Sequence, residues 1–109
     1  MVCPTVNQLK NKVMVDIIAF GAHPDDIELS AGGTLIKHVK NGLSVGLVDL
    51  SMGEMGTRGN IKTRKLEAEK AKEIIGAQFR INLNLPDAFI SISKESIKKI
   101  VKVIRTYKP

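Results

Sequence analysis

Three apolar runs alternate along this chain with three segments in which apolar residues recur at helical spacing. The apolar runs, each of which predicts a β-strand, are Val13 to Phe20, Leu43 to Leu50 and Phe79 to Leu83. The predicted helices run from the GAHPDD turn to Val39, from Lys62 to Ile75 and from Lys94 to Tyr107. Because the first run is continuously apolar and rich in β-branched residues, it indicates a strand that is buried on both faces.

The ends and buried faces of the helices follow from residue types. Asn41-Gly42 and Gly76 are typical helix stops, and Ser93 is placed to cap the third helix at its amino end. Apolar stripes predict that each helix packs one face on the sheet. In the three helices in turn, the stripes are Leu29, Gly32, Gly33, Ile36 and Val39; Arg64, Ala68, Ala71 and Ile75; and Ile97, Ile100, Val101 and Ile104.

Strands that alternate with helices over short connections predict repeated βα units on a parallel sheet. We therefore expect an α/β protein with a Rossmann-like parallel sheet in βαβαβα order. One domain would cover residues 13–109, after a polar leader at residues 1–12. The pattern requires a further strand after Lys108-Pro109, so we expect the chain to be truncated before a fourth strand. The first strand of such a sheet normally lies beside the fourth, and its free edge would favour a homo-oligomer.

Composition narrows the class of protein further. Apolar residues make up 43% of the 109 residues and charged residues 26%, which is typical of a soluble globular domain. The formal charge of +6 comes largely from lysines on the polar faces of two helices, and aromatic residues are only 4%, so we expect no nucleic-acid partner. Cys3 is the single cysteine, which favours a cytoplasmic location. No apolar run approaches the roughly 20 residues of a membrane span.

The turn after the first strand holds the most reactive group of side chains. His23 and Asp26 lie three residues apart across Pro24, at the edge of the sheet where open α/β folds bind ligands. Both are residue types that bind zinc, and Asp25 is free to act as a general base for an attacking water. A structural interpretation stays open, in which Asp25 or Asp26 caps the helix and His23 donates to a backbone carbonyl. Zinc hydrolases usually use three protein ligands, so a third must come from another loop.

Two other features carry weaker signals. Gly32-Gly33 could suggest a nucleotide-binding loop, but the pair lies inside the helical pattern and favours close packing of the helix on a strand. His38 lies on a lysine-flanked helical face, where a solvated side chain is the simpler interpretation.

The segments GAHPDDIEL, AGGTL, GLSVGLVDLSMGE, TRGNIKTRKLEAEKAKEIIG, NLNLPDAFI and IVKVIRTYKP stand in this order between Val15 and Pro109. In sequence and spacing they resemble the LmbE/PIG-L family of zinc-dependent deacetylases. Within that family they resemble the N-acetylglucosaminyl-malate deacetylases of bacillithiol synthesis. The resemblance implies a hydrolase with a Rossmann-like fold that removes the N-acetyl group from an N-acetylglucosamine conjugate.

The resemblance also implies roles for individual residues. His23 and Asp26 would be zinc ligands and Asp25 the general base. Arg64 would bind the substrate, with a surface salt bridge as its alternative role, and Arg58 is a weaker substrate candidate. Glu28 stands one position later than the acid of many members and would be a helix acid or would support the ligands from behind.

Family members continue beyond the equivalent of Pro109 with a strand and a histidine-rich loop that supplies the third zinc ligand. The chain as given is therefore expected to be incomplete for catalysis. The alternative to a deacetylase is a catalytically silent, truncated Rossmann-like module that forms oligomers.

Overall fold

The computed structural model describes residues 14–109, and the predicted leader and Cys3 lie outside the described residues. Three strands and three helices alternate along the chain, and the strands form one parallel sheet in the order β1-β2-β3. The predicted α/β fold with βαβαβα order is confirmed. The elements are β1 (Ile17–Gly21), α1 (Asp26–Lys40), β2 (Val45–Asp49), α2 (Ile61–Ile75), β3 (Phe79–Asn82) and α3 (Lys94–Tyr107).

The central strand of the sheet is β2, and all of its residues are buried. The prediction that the first strand is buried on both faces is wrong, because the residues of β1 are half-buried or exposed. The cause is position in the sheet: within residues 14–109, β1 pairs with β2 on one side only. The predicted free edge of the first strand is therefore present in the described part of the chain.

One face of the sheet packs against α1 and α2 through an aliphatic core. The stripe predicted for α1 is confirmed at Ile36 and Val39, which pack against this core. It is wrong at Leu29, which is 80% exposed while Ile27 and Leu35 are buried. Ile27 packs against Gly21, where an added Cβ would lie 2.8 Å from the Ile27 Cγ1 atom. This contact fixes which face of the helix turns inward. The core consists of Ile27, Leu35, Val45, Leu47, Ile75 and Ala77.

Close packing does not account for the paired glycines of α1, because a Cβ at either Gly32 or Gly33 would meet no atom within 4 Å. The stripe predicted for α2 is confirmed, with Ala68 and Ile75 buried and Arg64 and Ala71 half-buried. No helix within the described residues is long and apolar enough to cross a membrane.

Helix α3 has the predicted bounds, and the Ser93 side chain caps it by accepting a hydrogen bond from the Ser96 backbone N–H. Its predicted buried face is confirmed in part at Ile100 and Val101, which are half-buried, and is wrong at Ile97 and Ile104, which are 49% and 43% exposed. Ser96 and Val103 are buried instead. The ring of Tyr107 stacks on Phe79 of β3 with centroids 4.1 Å apart, on the face opposite the aliphatic core. That stacking turns the 96–103 face of the helix toward the sheet.

A buried guanidinium joins the other elements beneath the carboxyl edge of the sheet. Arg80 of β3 is 4% exposed and donates from Nε and Nη2 to the two carboxylate oxygens of Asp49 on β2, at 2.7 and 2.9 Å. The same Nη2 donates to Glu28 of α1 at 2.8 Å, and Nη1 donates to the Ala68 carbonyl of α2 at 3.3 Å. Two strands and two helices therefore converge on one side chain.

Replacing Arg80 should destabilise the fold strongly. Arg80→Met removes the cation and leaves Asp49 buried without a partner for its charge, a change that typically costs about 3–5 kcal/mol. We expect a loss of this size in the free energy of unfolding, measured by urea denaturation followed by circular dichroism. The matched control is Lys72→Met, which removes an exposed helical pair with Glu69 and should change stability by under about 1 kcal/mol. Equal losses in the two variants would contradict the role given to Arg80.

Candidate functional site

The GAHPDD turn is fixed to the loop that follows β2. The Gly21 carbonyl accepts from the Leu50 N–H at 2.8 Å, which extends the parallel pairing beyond the strands. The Ala22 carbonyl accepts from both the N–H and the hydroxyl of Ser51, at 3.1 and 2.9 Å. Ser51 is fully buried. The backbone that carries His23 is therefore held by the sheet edge itself.

His23 and Asp26 face each other across this turn. The Asp26 Oδ2 atom accepts from the His23 backbone N–H at 2.9 Å and lies 3.3 Å from the His23 Nδ1 atom. Asp25 stands at the cap position of α1, but its side chain makes no capping hydrogen bond. The structural interpretation is therefore wrong for Asp25, whereas Asp26, its other candidate, does accept a backbone N–H of the turn. The Asp25 carboxylate stays available for chemistry.

Asp87 is a third acidic residue at the site, and the sequence analysis did not identify it. Its Oδ1 atom lies 2.7 Å from the His23 Nε2 atom and accepts from the Ala88 N–H at 2.9 Å. Its Oδ2 atom accepts from the Met55 N–H at 2.8 Å, and its own N–H donates to Glu54 at 3.1 Å. Ala88 has a φ of +65°, which a residue with a Cβ seldom adopts. The backbone is therefore strained next to Asp87, whose side chain is 5% exposed.

A signal for Asp87 was present in the sequence. Leu85-Pro86-Asp87 opens the loop after the third predicted strand, and the carboxyl ends of parallel strands meet at one edge of a sheet. The PD pair of this loop therefore reaches the same edge as the HPDD turn. Separation along the chain, 64 residues from His23, hides the contact from any local pattern.

Asp25 pairs with Arg64 at the amino end of α2. The Arg64 Nη2 atom lies 3.5 Å from the Asp25 Oδ1 atom, and Nη1 donates to the Gly53 carbonyl at 3.1 Å. Gly53 has a φ of +66°, and a Cβ there would overlap the guanidinium. Glycine at this position thus provides the space for Arg64 beside the turn.

Of the remaining predicted residues, one supports the turn and two lie away from it. Glu28 binds Arg80 behind the turn and so belongs to the buried ion cluster. Arg58 is exposed and makes no ion pair with any residue from 14 to 109, so the structure does not bring it to the turn. His38 is half-buried on α1 and lies apart from these contacts.

The donor atoms of the turn fit a zinc ion. Two ligands at zinc bond lengths of about 2.0 to 2.2 Å and a tetrahedral angle stand about 3.3 to 3.5 Å apart. The His23 Nδ1 and Asp26 Oδ2 atoms are 3.3 Å apart, and imidazole and carboxylate are both zinc ligands. Among residues 14–109, no group of three His, Cys, Asp or Glu side chains is arranged to hold a metal ion. The described part of the chain thus offers two adjacent ligands.

Comparison with known proteins finds similarity to deacetylases. The family model "PIG-L: GlcNAc-PI de-N-acetylase" matches residues 18–109. The uncharacterized deacetylase YaiS of Escherichia coli K12 is 35% identical over 103 residues, covering 84% of this chain and 55% of that protein. A diacetylchitobiose deacetylase of Thermococcus kodakarensis is 33% identical over 100 residues, covering 85% of this chain and 38% of that protein. The chain thus spans about half or less of the length of these relatives.

Solved structures share the fold. The conserved protein TT1542 of Thermus thermophilus superposes with a TM-score of 0.84 at 40% identity, covering 88% of this chain and 44% of that one. GalB, a 4-carboxy-2-hydroxymuconate hydratase of Pseudomonas putida, superposes with a TM-score of 0.71 at 26% identity, covering 85% of this chain and 43% of that one. The same architecture thus occurs in GalB, which is named for a hydration and not for a deacetylation.

The contacts of His23 predict its titration in the metal-free protein. The hydrogen bond to Asp87 is the main cause that raises the pKa of the His23 imidazole, while partial burial opposes it and Asp26 adds to it. Hydrogen bonding, first from the Met55 N–H, lowers the pKa of Asp87. Since the folded-state pKa of His23 is raised, its stabilising contribution is present below the ordinary imidazole pKa and is lost as the pH rises through the raised value.

Asp87→Asn should therefore lower the pKa of His23 toward its ordinary value, because a neutral amide replaces the facing anion. An NMR titration of the metal-free protein in a His38→Gln background, in which His23 is the single histidine, measures this shift. An unchanged His23 pKa in the Asp87→Asn variant would contradict the assigned contact.

Proposed function

The chain belongs to the PIG-L family of deacetylases, and on this premise we propose that it is the metal-binding part of a zinc-dependent hydrolase. The reaction is removal of the N-acetyl group from an N-acetylglucosamine conjugate, with N-acetylglucosaminyl malate as the substrate. The observation that carries the proposal is the pairing of the His23 Nδ1 and Asp26 Oδ2 atoms at 3.3 Å, with Asp25 next to them at the sheet edge. His23 and Asp26 are the zinc ligands.

Zinc, when bound, lowers the pKa of water and polarises the acetyl carbonyl. Asp25 takes the proton of the attacking water and returns it to the leaving amine, the role of a general base and then of a general acid. The carboxylate is suited to this role because it is 55% exposed and makes no helix cap. Arg64 holds the Asp25 carboxylate from one side at 3.5 Å and keeps its other side open to a reactant.

Arg64 also has donors to offer a substrate. Its guanidinium is fixed by the Gly53 carbonyl, so it loses little conformational entropy on binding a sugar hydroxyl or a carboxylate. Arg58 lies in the exposed loop before α2 and is proposed as a second, weaker substrate contact.

A third zinc ligand has to come from outside residues 14–109 or from a neighbouring chain. The substrate class is supported by the named activity of the Thermococcus kodakarensis relative, which is a diacetylchitobiose deacetylase. The malate aglycone rests on the sequence resemblance to the bacillithiol branch. We further propose a cytoplasmic location and a homo-oligomer. The free edge of β1 within the described residues favours the oligomer.

A catalytically silent module that oligomerises is the alternative, and the two-ligand site within residues 14–109 is the observation that favours it. The two proposals differ in whether the reaction products are released. A deacetylase releases acetate and a free amine from N-acetylglucosaminyl malate, whereas a silent module releases neither.

The test is the rate of amine release by the zinc-loaded protein with the third ligand supplied, and by its Asp25→Asn variant. The asparagine side chain cannot take a proton from water, so we expect the variant to lose about 10²- to 10⁴-fold in rate. The matched control is Glu73→Gln, which also replaces a carboxylate by an amide but at an exposed position of α2. This control should keep the rate. Full activity of Asp25→Asn would overturn the mechanism, and absence of amine release once a third ligand is supplied would favour the silent module.

A further inference from the structure

The two ring nitrogens of His23 have different surroundings. We propose that His23 binds the metal through Nδ1, on the side of Asp26, and that Asp87 is a positioning residue that accepts the Nε2–H and so fixes the tautomer of the ring. The inference rests on the proposed function, because it takes His23 and Asp26 as the ligands. It goes further by naming the ligating atom and a residue that acts through the ligand.

The two ring nitrogens of His23 differ in their distance from the nearest carboxylate oxygen. Nδ1 stands 3.3 Å from the Asp26 Oδ2 atom, which is long for a hydrogen bond and is the separation expected for two ligands of one zinc ion. Nε2 stands 2.7 Å from the Asp87 Oδ1 atom, which is short for two tetrahedral zinc ligands and typical of a charge-assisted hydrogen bond. The metal side of the imidazole is therefore the Asp26 side.

Both oxygens of the Asp87 carboxylate already accept hydrogen bonds from backbone N–H groups. Oδ2 accepts from the Met55 N–H at 2.8 Å, and Oδ1 accepts from the Ala88 N–H at 2.9 Å in addition to the imidazole. Its side chain is 5% exposed, whereas that of Asp26 is 44% exposed. Asp26 thus has an oxygen open to a ligand from solvent, and Asp87 is enclosed by backbone.

The arrangement is that of a carboxylate behind a metal-binding histidine. Such a carboxylate receives the second ring N–H, orients the imidazole and raises its basicity toward the metal. Here the orientation exists without a metal, since the ring is held between Asp26 and Asp87. The strained φ of +65° at Ala88 is the backbone cost of placing Asp87 there.

The tautomer provides a test that needs neither metal nor substrate. In the metal-free chain at alkaline pH, where the ring is neutral, two-bond 1H–15N correlation spectra report which nitrogen of His23 carries the proton. We expect the Nε2–H tautomer in the chain and a shift toward a mixture of tautomers in Asp87→Ala. A His23 ring protonated on Nδ1 would overturn the inference.

Metal binding provides the second readout. With 113Cd²⁺ as a spin-active substitute for zinc, we expect cadmium coupling to Nδ1 of His23 and a retained proton on Nε2. The zinc affinity of Asp87→Ala should fall by about 10- to 100-fold. Asp87→Asn keeps an acceptor oxygen for the Nε2–H and should recover most of that loss.

The matched control is Asp16→Ala, which removes a carboxylate that also accepts a backbone N–H, that of Ser44 at 2.8 Å, far from the turn. This variant should bind zinc as the unmodified chain does. Cadmium coupling to Nε2, or an unchanged zinc affinity in Asp87→Ala, would overturn the inference and leave the proposed deacetylase intact. Loss of activity in Asp25→Asn is a separate outcome that reports on the proposed function alone.

Discussion

The guanidinium of Arg80 ties the strands that frame the site to the helix that begins at it. Asp49 lies at the last position of β2, Glu28 in the first turn of α1, and both carboxylates meet Arg80. A buried charge of this kind is tolerated only when its donors are satisfied, which demands a single arrangement of the three elements. The HPDD turn leads directly into α1, whose Glu28 binds Arg80, so this ion cluster helps to fix the position of the turn.

On this base, the carboxylates around the turn differ through their surroundings. Asp87 is buried and accepts several hydrogen bonds. Asp26 is half-exposed beside an imidazole nitrogen, and Asp25 is exposed beside a guanidinium. In the proposed mechanism, one residue type therefore serves three functions: orienting a ring, binding a metal and moving a proton. The loop after β2 supports two of these carboxylates, because Met55 donates to Asp87 and Gly53 makes room for Arg64, which contacts Asp25.

Local sequence signals predicted the elements well. Ser93 gave the start of α3, and the stripe of Ala68 and Ile75 gave the buried face of α2. The errors arise where tertiary contacts decide: the stacking of Tyr107 on Phe79 reorients α3, and the absence of a strand beyond β1 within the described residues leaves that strand half-exposed. Asp87 escaped prediction for the same reason, since its contact with His23 depends on the parallel sheet bringing two distant loops together.

The claim on which the proposed chemistry depends is that His23 binds zinc together with Asp26. Equilibrium dialysis of zinc against the chain, with His23→Ala and with His38→Ala as the matched histidine control, measures it directly. We expect one zinc ion per chain, lost in His23→Ala and retained in His38→Ala. Zinc binding that survives His23→Ala, or a chain that binds no zinc, would contradict the claim.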